Sequence, residues 1–274
     1  MTMEPLSANV PPAAHHTVRE TAAMVWALAR NDFHARFAGS YFGILWAFVQ
    51  PTATILLFWF VFQVGFRAAP TRTGVPYGLW LAAGLTPWFF FAEALTLATA
   101  ALVDYSFLVK KMVFRVELLP LIKVATALLF HLVFAGVVLA LCLLAGRRPT
   151  WHLLQLPYYG FCLCALVMAL GIATASILPF FRDLSQLLGI VLQFGMWLTP
   201  IMWSVGMVPD HYRWIFKFNP VGYVVEGYRD AFFGQAWLWE HWATTAGFWL
   251  LTLLLGLLAR FVYRKLRPHF ADVL

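Results

Sequence analysis

Three groups of residues in this chain have types and spacings that could do chemistry. The first is a set of ionisable side chains inside long hydrophobic runs: Glu93, which follows Trp88-Phe89-Phe90-Phe91, then Lys123 and His131. Each is costly in an apolar interior, so each must pair, hydrogen-bond or serve a function. A proton relay needs several acids and histidines in register, and these runs hold no such series. Glu93 is therefore expected to pair with an arginine of another helix or to hydrogen-bond a hydroxylated substrate. His131 is expected to be a satisfied core histidine, and Lys123 to snorkel toward the cytoplasmic headgroups. The second group is Glu226, Arg229 and Asp230, which helical spacing of three and four puts on neighbouring positions of one helix. It comes nearest to the acid cluster that an enzyme acting on polyprenyl-linked sugars would need, but its pattern is that of a structural ion pair, and no catalytic residue is assigned. The third is Cys142, Cys162 and Cys164. The C-x-C spacing of the last two matches no common zinc pattern, all three sit in apolar runs, and buried inert thiols with no metal are expected.

Phosphate chemistry is excluded more firmly. No glycine is followed directly by lysine and no two glycines stand two apart, so neither G-x-x-x-x-G-K-[ST] nor G-x-G-x-x-G occurs. Neither H-E-x-x-H nor G-x-S-x-G is present. If this chain takes part in ATP-driven work, the nucleotide and its magnesium must be held by another subunit; the chain itself carries no cofactor.

The elements that position these residues are membrane spans. Of 274 residues, 62% are hydrophobic and 11% charged, with mean hydropathy +0.76. A soluble domain carries roughly 25% charged residues, so most of this surface must face lipid. The net charge of +7 then reads as orientation at a bilayer rather than as a nucleic-acid footprint. A span needs roughly 20 mostly apolar residues. Six runs pass: about Ile44–Phe66, Gly78–Val103, Leu118–Ala145, Leu153–Phe180, Leu187–Val205 and Thr244–Tyr263. Each is read as a helix, because backbone groups in lipid must pair within their own segment. Six spans put both termini on one side. That side holds 12 of the 19 basic residues, including Lys110-Lys111 and Arg264-Lys265-x-Arg267 at span ends, which marks it as cytoplasmic.

Two segments are not ordinary spans. Residues 1–16 carry one acid and no apolar stretch, so a disordered tail without signal-peptide character is expected there. Thr17-Val-Arg-Glu20 then has the form of a capping box. Over 17–38, Arg19, Glu20, Arg30, Asn31 and His34 fall on one helical side, and Val18, Val25, Ala29 and Phe33 on the other. Such a helix would lie in the cytoplasmic interface. Arg36 departs from the pattern, either snorkelling to the headgroups or contacting a phosphorylated lipid substrate. Between the last two spans, 12 of the 40 residues from Trp203 to Trp242 are aromatic, interrupted by Asn219-Pro220, Gly222 and Gly227. Re-entrant half-helices and a surface aromatic belt both account for that composition. Gly39-x-x-x-Gly43 and Gly74-x-x-x-Gly78 lie outside apolar runs and suit tight turns as well as helix packing.

The order of these features resembles a known family. Asn31-Asp-Phe-His-Ala-Arg-Phe-Ala-Gly-Ser-Tyr-Phe-Gly-Ile-Leu-Trp46, running on to Gln50-Pro51, is similar to the start of the first span in ABC-2 type exporter permeases, closest to the branch exporting O-antigen, capsule or teichoic acid. Gly84-Leu-Thr-Pro-Trp88-Phe-Phe-Phe91, Leu108-Val-Lys-Lys-Met-Val-Phe114 with Glu117-Leu-Leu-Pro120, Phe181-Arg-Asp183 before Thr199-Pro200-Ile201, and Asn219-Pro220 with Tyr228-Arg229 agree with that branch.

The resemblance, which runs from about Arg30 to the C-terminus, implies an all-α membrane protein with a transmembrane domain over 39–274. It implies a multi-pass permease of the bacterial inner membrane that forms a homodimer and docks two ATP-binding-cassette ATPase subunits, with no nucleic-acid partner. Its cargo would be an undecaprenyl-diphosphate-linked glycan. Lys110, Lys111 and Phe114 would belong to the coupling helix that meets the ATPase; Arg115 replaces a frequent proline there. Trp88, Phe89, Phe90, Phe91, Glu93, Tyr223 and Tyr228 would line or cap the conduit, and Arg36 would take the diphosphate at the cytoplasmic entrance. The rivals are a permease for a drug or small lipid and the membrane-embedded enzyme.

Overall fold

The computed structural model describes residues 18–37, 41–67, 74–107 and 116–274. The chain is all-helical over these residues. In order it forms α1 (Val18–Phe37), α2 (Trp46–Trp59), α3 (Tyr77–Asp104), α4 (Leu118–Leu144), α5 (Leu156–Ile177), α6 (Leu184–Leu198), α7 (Arg213–Lys217), α8 (Pro220–Phe233) and α9 (Trp242–Leu266), with a short terminal turn after it. Five stretches among the described residues are long and apolar enough to cross a membrane: Phe48–Gly65, Tyr77–Asp104, Leu118–Leu144, Trp151–Ile177 and Leu238–His269. The expected fifth span is shorter than its apolar run. α6 has 15 residues, about 22 Å at 1.5 Å per residue, against a hydrocarbon core of about 30 Å. It stops because Thr199 turns extended and Pro200 has no N–H with which to continue a helix.

Two clusters of buried side chains show how the helices alternate. One gathers the C-terminal end of α3 (Ala101, Leu102), the start of α4 (Leu119, Ile122), Ala175 of α5 and Tyr263 of α9, together with Val25 and Ala29 of α1. The other joins the N-terminal ends of α3 and α5 (Tyr77, Trp80, Leu81, Tyr159) to Val138 and Cys142 near the end of α4, Phe248 of α9 and the inner side of α8. The long helices therefore run up and down, and α8 seats at the end opposite α1. α3 is the central element, packed against α4, α5 and α8.

α1 follows the expected pattern. Val25 and Ala29 are buried, while Arg19, Arg30, Asn31 and His34 are exposed. Its apolar side lies against α4, with Phe33 stacked on Phe130 at 4.5 Å. Thr17 of the suggested capping box falls outside the described residues. Lys123 differs from expectation. Its ammonium sits 3.0 Å from both Asp32 of α1 and Asp104 of α3, only 11% exposed, and Tyr105 donates a 2.6 Å hydrogen bond to the same Asp32. Two carboxylates within reach outcompete distant headgroups, so this lysine ties three helices together instead of snorkelling. The three cysteines are free thiols, Cys142 and Cys162 buried and Cys164 half-buried. Gly43 and Gly74 have φ of +50° and +66°, the left-handed region that glycine enters without a Cβ penalty, so these two act as turn residues.

α2 and α6 are held loosely. No residue of the Phe48–Gly65 window is buried, and Leu188 alone is buried on α6 among the described residues. They meet at Phe58 and Trp197, 6.0 Å between ring centroids, and otherwise present apolar side chains outward. α8 is the opposite case. A Cβ on Gly227 would stand 2.2 Å from the Tyr159 ring, whereas one on Gly247 of α9 would meet nothing within 4 Å. Gly227→Ala should cost about 1–3 kcal/mol through overpacking, while Gly247→Ala should be neutral or stabilising by up to about 1 kcal/mol. Thermal melts of the two variants in one detergent check this; equal midpoints would contradict the packing described.

Candidate functional site

The site is built around α8. Asn219 caps its start, its side-chain oxygen accepting from the amides of Val221 and Gly222 at 3.0 and 3.1 Å, and satisfies two of the free donors of a helix N-terminus. Pro220 at the first position is preset for helical φ. Gly234 ends the helix in the left-handed conformation at φ +66°. Val221, Val224, Val225, Tyr228, Ala231 and Phe232 turn into the core. Tyr223 and Glu226 remain partly exposed.

Arg229 fixes the helix in place. It is 1% exposed, and donates to the carbonyls of Pro200 and Ile201 at 2.8 and 2.6 Å and to the Glu226 carboxylate at 2.7 Å. Its Nε finds no hydrogen-bond partner among the described residues, and the guanidinium lies over the Trp80 ring at 3.4 Å, a cation–π arrangement that strengthens when desolvated. Tyr77 donates to the next carbonyl, of Met202, at 2.8 Å. The bend after α6 is thus stitched to α3 and α8 through three successive backbone carbonyls. Glu226 and Arg229 form the ion pair that their spacing suggested, while Asp230 stands 3.8 Å from His241.

Beside this anchor runs a chain of hydroxyls. Tyr223 shares hydrogen bonds with Thr245 at 2.9 Å and Tyr158 at 3.2 Å, and the Trp249 indole donates to Tyr158 at 3.0 Å. Tyr228 and His131 are joined at 2.6 Å, so His131 is the satisfied core histidine expected. On the open side of α8 is a cavity of about 250 Å³, walled by Tyr159, Phe216 and Tyr223 and bearing Glu226, Asp230 and Thr244. Burial, then the neighbouring Glu226 and Glu240 carboxylates, push Asp230 up to about 7. With Arg213 and His241 also at its wall, the cavity is suited to a polyhydroxylated ligand: C–H faces pack on rings, and hydroxyls exchange hydrogen bonds with the polar groups.

The residues singled out from sequence separate into three groups. Trp88, Phe90, Phe91 and Tyr228 are buried in the core. Phe90 packs against His131 at 4.8 Å, and Trp88 faces Gly195 of α6. Phe89 and Glu93 are half-buried and border a small cavity with Phe48, Pro51, Thr86 and Phe134; Tyr223 borders the larger one. Lys110, Lys111, Phe114 and Arg115 lie outside the described residues, as does the side chain of Arg36 on α1. Sequence reading missed Tyr158, Tyr159 and Trp80. Tyr158-Tyr159 at the head of a span was a visible signal, since paired phenols there need hydroxyl partners.

Comparison with known proteins agrees with this architecture. The ABC-2 type transporter family model matches residues 23–233. The chain is 27% identical over 250 residues to the O-antigen export system permease protein RfbA of Klebsiella pneumoniae, covering 90% of this chain and 93% of that protein. It is 26% identical over 209 residues to the RfbA protein of Myxococcus xanthus, 75% and 78% of the two chains. It is 25% identical over 212 residues to the polysialic acid transport protein KpsM of Escherichia coli, 76% and 80%.

Replacing Arg229 by methionine should leave the carbonyls of Pro200 and Ile201 buried without donors. At about 1–3 kcal/mol for each such group, the loss should be on the order of 3 kcal/mol. Arg229→Lys should recover only part, because an ammonium cannot fork to several acceptors while stacking on a ring. Monodisperse yield on size-exclusion chromatography, with melting temperature, reads the order wild type, Lys, Met. A methionine variant as stable as wild type would show that the anchor is dispensable.

Proposed function

We propose that this chain, which belongs to the ABC-2 type transporter family, is the membrane permease subunit of an exporter that carries a lipid-linked polysaccharide out of the cytoplasm. It is a multi-pass transport subunit rather than an enzyme, and ATP hydrolysis belongs to a separate subunit. The observation that carries the choice of cargo is similarity along nearly the whole length to permeases named for O-antigen export, seconded by one named for polysialic acid transport.

In this reading two copies assemble, and α2 and α6, with outward faces such as Leu56, Leu57, Phe194 and Leu198, bound the path between them or face lipid. The orientation follows the basic residues: the end gathering α1, Tyr263 and Phe270 is cytoplasmic, and α8 lies at the outer end. α6 with the bend after it forms the fifth of six spans, and α7 and α8 are the re-entrant pair. Residues 17–38 form the interfacial helix and 39–274 the transmembrane domain. Arg36 meets the diphosphate of an undecaprenyl carrier at the inner entrance. Lys110, Lys111, Phe114 and Arg115 meet an ATP-binding-cassette subunit, which holds ATP and magnesium.

The conduit assignment is narrowed by burial. Phe90 is 2% exposed, and truncating it would cost about 3–5 kcal/mol of packing, which confounds a transport defect with a folding defect. Of the conduit candidates, Phe89, Glu93 and Tyr223 are the partly exposed ones, while Trp88, Phe91 and Tyr228 are buried.

Two measurements test the proposal. The tagged chain purified from its own host in mild detergent should bring down a stoichiometric ATP-binding-cassette ATPase. Cells lacking the chain should lose surface glycan and accumulate lipid-linked glycan inside. Phe89→Ala with Tyr223→Phe should lower surface glycan several-fold with ATPase association intact. A null strain with normal surface glycan and a drug-sensitive phenotype would replace polysaccharide by a small cargo.

A further inference from the structure

A long groove lies between α5 and α9, away from α8. It has a volume of about 650 Å³ and is lined by small and apolar residues, among them Ala165, Ala169, Ile172, Gly256 and Leu257. Its two ends differ. The end near Trp249 is mostly apolar, with the hydroxyl of Thr252, unpartnered among the described residues, at its wall. The end near the C-terminus of α9 carries Arg260, Arg264 and Tyr263 against one acid, Glu117. Both arginines are exposed, whereas Tyr263 is 5% exposed and its hydroxyl has no hydrogen-bond partner among the described residues. A buried phenol without a partner costs about 1–3 kcal/mol unless something outside the chain completes it.

The dimensions select the occupant. From Arg264 to Trp249 the groove follows α9 for 15 residues, about 22 Å. That exceeds one leaflet, about half of a 30 Å hydrocarbon core, and falls short of the whole core. One acyl chain of a glycerophospholipid fits such a slot; a polyprenyl chain long enough to cross the membrane does not. The cationic end calls for phosphate, and Tyr263 stands where it can donate to a phosphate or ester oxygen. We infer that this groove is a binding site for one anionic glycerophospholipid, acyl chain along Ala165, Ala169 and Gly256 and phosphate between Arg260 and Arg264. The phosphate end of the site lies at the opposite end of the bundle from α8 and the Arg229 anchor, while its far end stops at Trp249, whose indole donates to Tyr158 of the hydroxyl chain.

The test uses the full chain, delipidated in detergent and titrated with phosphatidylglycerol, phosphatidylcholine, inorganic phosphate or undecaprenyl diphosphate, with bound species read by native mass spectrometry. One phosphatidylglycerol per chain is expected, held about tenfold or more over phosphatidylcholine, since each basic side chain adds roughly a factor of five at an anionic surface. Arg260→Gln with Arg264→Gln should abolish that preference. Gly256→Leu should remove the lipid while leaving the fold intact, because a Cβ there meets nothing within 4 Å. Equal retention of both phospholipids, or an adduct unaffected by Gly256→Leu, would overturn the site. So would phosphate alone competing at equal concentration, which marks an ion site, or undecaprenyl diphosphate displacing the phospholipid one for one, which marks a substrate portal.

Discussion

A guanidinium with almost no access to solvent is the interaction on which the α8 end of this bundle depends. Placing Arg229 there requires taking a permanent charge out of water, a cost of several kcal/mol that only well-directed partners offset. Those partners are unusual in being mostly backbone. The carbonyls of Pro200 and Ile201 accept from Arg229, at the point where α6 ends and the chain must bend without helical hydrogen bonds. An irregular backbone inside a membrane protein survives only when its polar groups are satisfied by protein, and here one side chain satisfies two of them. The same residue reaches Glu226 on its own helix and stacks on Trp80 of α3. The consequences spread: Gly84 must stay glycine, because a Cβ there would sit 2.6 Å from the guanidinium, and Tyr77 takes the next carbonyl in line.

Lys123 performs the corresponding task at the other end with different chemistry. It binds Asp32 and Asp104, which stand on α1 and at the last turn of α3, while Lys123 itself is on α4. Asp104 and Lys123 thus flank, on either side, the segment assigned to the ATPase contact. A compact ammonium between two carboxylates tolerates small shifts that a forked, stacked guanidinium does not. The Arg229 anchor is therefore the geometrically stricter of the two.

Much of this was legible from sequence, and the limits follow from what each signal measures. Apolar runs located α3, α4, α5 and α9 because lipid demands long unbroken helices. The apolar side of α1 was readable from 100° periodicity at Val25, Ala29 and Phe33. Hydropathy measures composition rather than helix continuity, which is why the run Leu187–Val205 concealed the stop at Thr199. Lys123 was misread because its partners lie 91 and 19 residues away in sequence, and nothing local distinguishes a paired lysine from a snorkelling one. The aromatic run Trp88 to Phe91 could not be divided by sequence into core and lining, since a helix turns those four side chains in four directions. Only packing separated Phe89 from its neighbours.

The two faces of α8 divide between fixing the fold and presenting groups that can exchange hydrogen bonds. The inner face is fixed by contacts without slack: Arg229 with its backbone acceptors, and Gly227 under the Tyr159 ring. The outer face offers Tyr223, whose hydroxyl already shares bonds with Tyr158 and Thr245. A hydroxyl is both donor and acceptor and rotates about its C–O bond. Trading a protein hydroxyl for a sugar hydroxyl replaces one bond with an equivalent one, so the net change is small, as it is for most exchanges of this kind. One phenol on a rigid helix, bonded to hydroxyls on two neighbouring helices, offers contacts that are weak and interchangeable.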